Sequence, residues 1–221
     1  MTTFYTDNPL TVWQSVLGPS MHYHVGGNHA IRDLYPYIDN NSTILDIGCG
    51  WGGPARLLAN EKACKLHGVT NSYQQYDYYP YPVTYDDANT FIPQQQYDTT
   101  LFIESLCHLT PQVLTNIRPH TNKVIIKDYI WSSDWYNTQW EMYMRKQSTY
   151  HTILSQYNIT HEEIDTSNDV YNSSLYWYNN IKKLPSKLIT HQIQTLYTML
   201  SGVVQQGPNT SFVKLITIVA E

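Results

Sequence analysis

Asp46 and three glycines at alternate positions stand in the run Ile44-Leu45-Asp46-Ile47-Gly48-Cys49-Gly50-Trp51-Gly52-Gly53-Pro54. Residues without a Cβ let a backbone turn tightly and approach a ligand, and Pro54 suits the first turn of a helix, where its missing N–H leaves no carbonyl unpaired. A carboxylate at Asp46 can order such a turn by accepting backbone N–H groups, or bond through water to an ammonium on the ligand. It would repel a pyrophosphate. No Lys-Ser or Lys-Thr pair follows Gly53, so a triphosphate cradle is not expected. Gly48, Cys49 and Gly50 therefore suit a ligand carrying an amino-acid moiety better than one carrying phosphates. Further on, Glu104 and His108 bring a carboxylate and an imidazole that titrates near neutrality to the end of another apolar run, Leu101-Phe102-Ile103.

Positioning these groups requires an α/β frame. Short apolar runs at Ile44–Ile47, Lys65–Val69, Val83–Tyr85, Thr99–Ile103, Val124–Lys127, Ile159–Ile164 and Phe212–Val219 alternate with helix-length stretches after residue 42. That pattern predicts βαβ units, a doubly wound, Rossmann-like sheet of seven strands, mostly parallel. The 221 residues are enough for one domain spanning 1–221. Residues 1–35 precede the first strand as an N-terminal cap. Residues 130–150 and 166–208, rich in Trp, Tyr, Asn and Gln, are expected to supply a helical and aromatic lid within 130–208, over the strand ends where open α/β sheets bind ligands.

Composition narrows the function classes. A net charge of −5 gives no electrostatic footprint for DNA or RNA, and Lys182, Lys183 and Lys187 are too local to make one. Cys49, Cys64 and Cys107 form neither a Cys-x-x-Cys pair nor a disulfide framework, so a reducing cytoplasm is the expected location. No basic leader and no run of about 18 apolar residues is present, so membrane insertion is not expected. His22, His24 and His29 lack a Cys or spaced carboxylate to complete a metal set, and no metal is expected.

The strand, the Asp-x-Gly-x-Gly-x-Gly-Gly loop and the following helix resemble motif I of the class I S-adenosylmethionine-dependent methyltransferases. Gly68-Val69-Thr70-Asn71-Ser72-Tyr73-Gln74-Gln75 is similar to a signature of the cyclopropane fatty acid synthase, tocopherol and small-amine methyltransferase group. The resemblance implies Thr70 and Gln75 around the ribose and adenine; an amide can bridge ribose hydroxyls because it both donates and accepts. Asp87 and Ala88 match the segment that reads the adenine edge, with Asp86 a turn residue. Glu104-Ser105-Leu106-Cys107-His108 resembles the segment lying beside the sulfonium, which implies that Glu104 is a catalytic and cofactor residue that offsets the positive charge or orders a loop, and that His108 is a base, a substrate orienter or a packed structural histidine. Tyr23 matches a segment that packs over the cofactor, and the final strand is expected to run antiparallel beside the sixth.

Two departures matter. Cyclopropane synthases carry Glu immediately before this His, where the chain has Cys107, which argues against cyclopropanation. The Asp-Pro-Pro motif that grips a base flipped from DNA is absent. The expectation is methyl transfer from S-adenosylmethionine to a small molecule, at an amine nitrogen first, at oxygen or carbon otherwise. A lipid-modifying enzyme of cyclopropane synthase type and a non-catalytic S-adenosylmethionine-binding protein are the alternatives. If the acceptor is a cationic amine, Trp131, Tyr171 and Trp177, within an aromatic stretch that also holds Trp135, Trp140 and Tyr143, are expected to give it ring faces.

Overall fold

A computed structural model describes residues 8–138, 141–157, 161–165, 168–206 and 214–220. Trp140 and the start of the strand expected from Phe212 lie outside these residues. Five strands, β1 (Thr43–Ile47), β2 (Lys65–Thr70), β3 (Val83–Tyr85), β4 (Tyr97–Ile103) and β5 (Thr121–Ile130), pair in parallel in the spatial order β3-β2-β1-β4-β5. Beyond β5 the sheet continues with β9 (Lys214–Ala220), antiparallel to β5, and then β8 (His161–Asp165), antiparallel to β9.

The period-two pleat sorts the strand side chains onto two faces. Leu45, Ile47, Phe102, Val124 and Ile126 pack on one, against α5 (Gln112–Ile117) and α6 (Gln147–Gln156). Ile44, Leu101, Ile103 and Ile125 pack on the other, against α2 (Gly27–Arg32) and α3 (Gly53–Lys62). Both faces are covered, which is why the strands read as continuous apolar runs rather than as alternating ones.

A third apolar cluster stands apart from the sheet. It joins α1 (Leu10–Leu17), α7 (Asn168–Ile181) and α8 (His191–Gln206) through Val12, Trp13, Val16, Trp177, Ile181, Ile193 and Leu196. Trp51 of the glycine loop is buried in the same cluster, so the helical cover is tied to the loop itself. The remaining helix, α4 (Tyr73–Tyr78), is capped by Ser72, whose hydroxyl accepts from the Gln75 N–H. A two-stranded antiparallel hairpin, β6 (Trp135–Asn137) and β7 (Met142–Met144), lies where the sequence predicts only an aromatic lid. Among the described residues no helix is long and apolar enough to cross a membrane.

Candidate active site

β1 has β2 on one side and β4 on the other, so the chain's crossovers diverge there and leave a crevice at the strands' carboxyl ends. A cavity of about 330 Å³ opens at that place. β1 contributes Asp46 and the turn Gly48, Cys49 and Gly50. The loop after β2 brings Thr70 and Gln75, and the turn after β3 brings Asp87 and Ala88. Glu104 and His108 line it from the end of β4, and Tyr23 from the N-terminal cap. Each cofactor or catalytic residue expected from the sequence thus faces one space.

Of the two roles expected for Asp46, ordering the turn is taken at its first two N–H groups by β2. The N–H groups of Gly48 and Cys49 donate to the Val69 carbonyl at 2.9 and 3.1 Å, so β2, not the Asp46 carboxylate, satisfies them. Asp46 is buried and accepts a long bond from the Tyr79 hydroxyl at 3.4 Å. Burial pushes its carboxyl up to about 7. Gly48 adopts φ +71° and Gly50 φ +52°. A Cβ on Gly48 would lie 2.6 Å from Cβ of Ser105, whereas one on Gly50 would meet nothing within 4 Å. Gly50 therefore leaves open space for a ligand, and Gly48 lets the ends of β1 and β4 close on each other. Ser105 fastens that closure, its hydroxyl donating to the Ile47 carbonyl at 2.6 Å.

On the β2 side the Thr70 hydroxyl donates to the amide oxygen of Gln75 at 2.8 Å, which leaves the amide NH2 of buried Gln75 as the donor. Asp87 is exposed; one carboxylate oxygen accepts from the Asn89 backbone and side-chain nitrogens, both at 2.9 Å. Asp86 accepts the Asp87 N–H at 2.7 Å, as a turn residue does.

Glu104 is held at both carboxylate oxygens. One carboxylate oxygen accepts the Val25 N–H at 2.6 Å and the other accepts the Tyr129 hydroxyl. Burial pushes its carboxyl up to about 7, against the opposing pull of Lys127 and these two donors. His108 sits on the single turn Leu106–His108, and its Nδ1 lies 3.1 Å from the Glu141 carbonyl. A carbonyl only accepts, so Nδ1 is the donor, and in the neutral ring Nε2 is the nitrogen with the lone pair. Arg145 holds that turn from behind, donating to the carbonyls of Leu106 and Leu109 at 2.8 and 2.6 Å.

Trp131, Tyr171 and Trp177 do not line the cavity. Trp131 is half-buried between the helical cover and Met142 and Met144. Tyr171 is half-buried on α7. Trp177 is buried behind Tyr23, ring centroids 5.7 Å apart. The aromatic wall is instead formed by Tyr136 and Tyr143 of the hairpin, with Glu141 beside them. No local pattern marks Tyr136 or Glu141, because two three-residue strands carry too little periodicity to read. Lys127, fully buried in β5, was equally unmarked, although a lysine inside Val124-Ile125-Ile126-Lys127 is itself a signal.

Of the three N-terminal histidines two pack together and the third pairs with a carboxylate. His24 is buried, lowered to about 3 by desolvation, with Nε2 3.0 Å from the Gly27 carbonyl. His22 packs edge-on to it at 4.7 Å, and His29 pairs with Asp33 at the surface. Among the described residues no group of three or more His, Cys, Asp or Glu is arranged to hold a metal ion. Cys107 is buried beside Asp128 and is not part of the cavity wall.

No family model matches the chain. Over 83 residues it is 31% identical to a sterol 24-C-methyltransferase of Kluyveromyces lactis, a match covering 32% of this chain and 22% of that protein. The chain thus aligns with well under a third of that relative's length. Among solved structures, a cyclopropane synthase from Mycobacterium tuberculosis superposes with a TM-score of 0.80 at 11% identity, covering 99% of this chain and 96% of that one. A coclaurine N-methyltransferase bound to N-methylheliamine and S-adenosylhomocysteine gives 0.80 at 16% identity, covering 96% and 80%. The chain has the fold of the class I S-adenosylmethionine-dependent methyltransferases, and its sequence relatives and structural neighbours are members of that family.

Proposed function

We propose that this protein binds S-adenosylmethionine in the cavity at the ends of β1 and β4 and transfers its methyl group to a small molecule, an amine nitrogen in the first instance. The observation that carries the reading is the convergence, on one space, of the residues named from three separate sequence motifs. The donor set fits the cofactor. Asp46 suits its ammonium, Gln75 and Asp87 the ribose and adenine, and the open side of Gly50 a close backbone approach. Tyr23 would cover the methionine moiety, with Ala88 and Cys49 as apolar wall. When bound, the cofactor supplies an electrophilic methyl, the C–S pair leaving on sulfur as the acceptor's lone pair forms the new bond.

The chain's own work is alignment and proton handling. Glu104, held by Val25 and Tyr129, would offset the positive charge of the cofactor. His108 Nε2 takes the proton that an ammonium acceptor must shed before its nitrogen can attack. The whole chain acts as one domain in the cytoplasm, with the N-terminal cap and the 130–208 segments as its lid and without nucleic acid as partner. Isothermal titration tests the cofactor reading. S-adenosylmethionine and S-adenosylhomocysteine are expected to bind in the micromolar range, and NAD not at all. Heat with NAD alone would overturn it.

A further inference from the structure

The cavity wall is lopsided in charge. Asp46, Asp87, Glu104 and Glu141 all line it, and among the described side chains no lysine or arginine does. The cations nearby are engaged elsewhere. The Arg56 guanidinium donates to the Trp51 carbonyl at 2.8 Å and lies over the Tyr78 ring. Arg145 is buried and bonded to two carbonyls, and Lys127 is enclosed in β5. The carboxylates also divide by place. Asp46, Asp87 and Glu104 belong to the strand ends, whereas Glu141 belongs to the hairpin, with the rings of Tyr136 and Tyr143 4.9 Å apart at 52°.

We infer that the β6–β7 hairpin is the acceptor-binding wall and that it selects a small organic cation, an alkyl- or arylalkylammonium bearing no phosphate or carboxylate, held by Glu141 and the faces of Tyr136 and Tyr143. The inference rests on the cofactor reading for the other half of the cavity. An ammonium placed there meets a carboxylate and two ring quadrupoles, each attractive to a cation. A phosphate or carboxylate placed there would meet the Glu141 carboxylate with no lysine or arginine on the described wall to pair with. The Arg145 guanidinium, 4.8 Å from the Tyr143 centroid, does not reverse this, because it does not line the cavity. It lies over the Tyr143 ring and holds, through Leu106 and Leu109, the turn that carries His108. His108 donates to Glu141 from the same turn, so the ammonium site and the proton acceptor are built as one unit.

The test uses the full chain and a matched pair of probes, benzyltrimethylammonium and benzylphosphonate. Each is titrated with and without saturating S-adenosylhomocysteine, whose own binding is measured first. Absence of that binding would remove the cofactor reading, and the titrations on the unloaded protein would still judge the hairpin. The cation is expected to bind at least about tenfold more tightly than the anion in both states. Glu141→Gln and Tyr136→Leu should each weaken it by roughly five- to thirty-fold, with circular dichroism and cofactor affinity unchanged. Tyr136 is 47% exposed, so its loss leaves the core intact. Benzylphosphonate binding as tightly as the cation, no binding of the cation in either state, or a cation affinity indifferent to both substitutions overturns the inference.

Discussion

Glu104 adopts φ +52° at the end of β4, a left-handed conformation that costs a residue with a side chain about 1–2 kcal/mol. The Val25 N–H and the Tyr129 hydroxyl hold its carboxylate at the cavity wall in return. Burial sets its carboxyl near 7, so in the empty protein it changes charge within the physiological range. A cation bound beside it favours the ionised form. S-adenosylmethionine affinity should therefore rise with pH up to about 7, by up to roughly tenfold per unit below that point. S-adenosylhomocysteine lacks the sulfonium but keeps the ammonium that Asp46 would face, so the difference between the two pH profiles isolates Glu104. Calorimetry across pH 5.5–8.5 should show that difference, and Glu104→Gln should erase it. Parallel profiles for the two ligands would place the sulfonium elsewhere.

The glycine loop shows how an element divides labour between residues that look alike in the sequence. Gly48 is required by the approach of Ser105, and Gly50 by the ligand's side of the turn. Gly48→Ala should accordingly lower Tm sharply, because β1 and β4 must part at their ends. Gly50→Ala should cost the fold only about 1–2 kcal/mol of backbone strain, while its affinity for S-adenosylhomocysteine falls at least about tenfold. Thermal melts paired with calorimetry check both, and equal behaviour of the two variants would undo the distinction. The strand, turn and helix of this unit were legible because every signal is local: apolar run, glycines, Pro54. The hairpin was not. Its six strand residues are split into two runs of three, and the residue that ties it to the site, His108, is 33 positions from Glu141. The expected ring donors illustrate the same limit. Trp131 and Trp177 read as aromatic density in the right segments, but packing against Met142 and Met144 for Trp131 and against Tyr23 for Trp177 took them out of the cavity and left Tyr136 and Tyr143 on its wall.

At the scale of the molecule, α1, α7 and α8 form one apolar cluster that includes Trp51, so segments from both ends of the chain meet over the glycine loop. Composition indicated a cover at each end but not that the two would merge, since their contact depends on tertiary packing rather than on any repeating pattern. The frame beneath the cover was legible because a parallel sheet buried on both faces writes itself as apolar runs. What the fold leaves open is the acceptor: its neighbours include enzymes named for sterol carbon, cyclopropane and amine chemistry. The most direct test of the central claim is transfer itself, with S-adenosylmethionine carrying a deuterated methyl, a panel of primary, secondary and tertiary amines, and mass spectrometry of the products. The account predicts stoichiometric appearance of the labelled methyl on an amine and of S-adenosylhomocysteine, with His108→Gln lowering kcat by about 10²–10⁴ while leaving cofactor affinity unchanged. Cofactor bound tightly with no label on any amine, or label appearing at the wild-type rate in the His108→Gln variant, would contradict it.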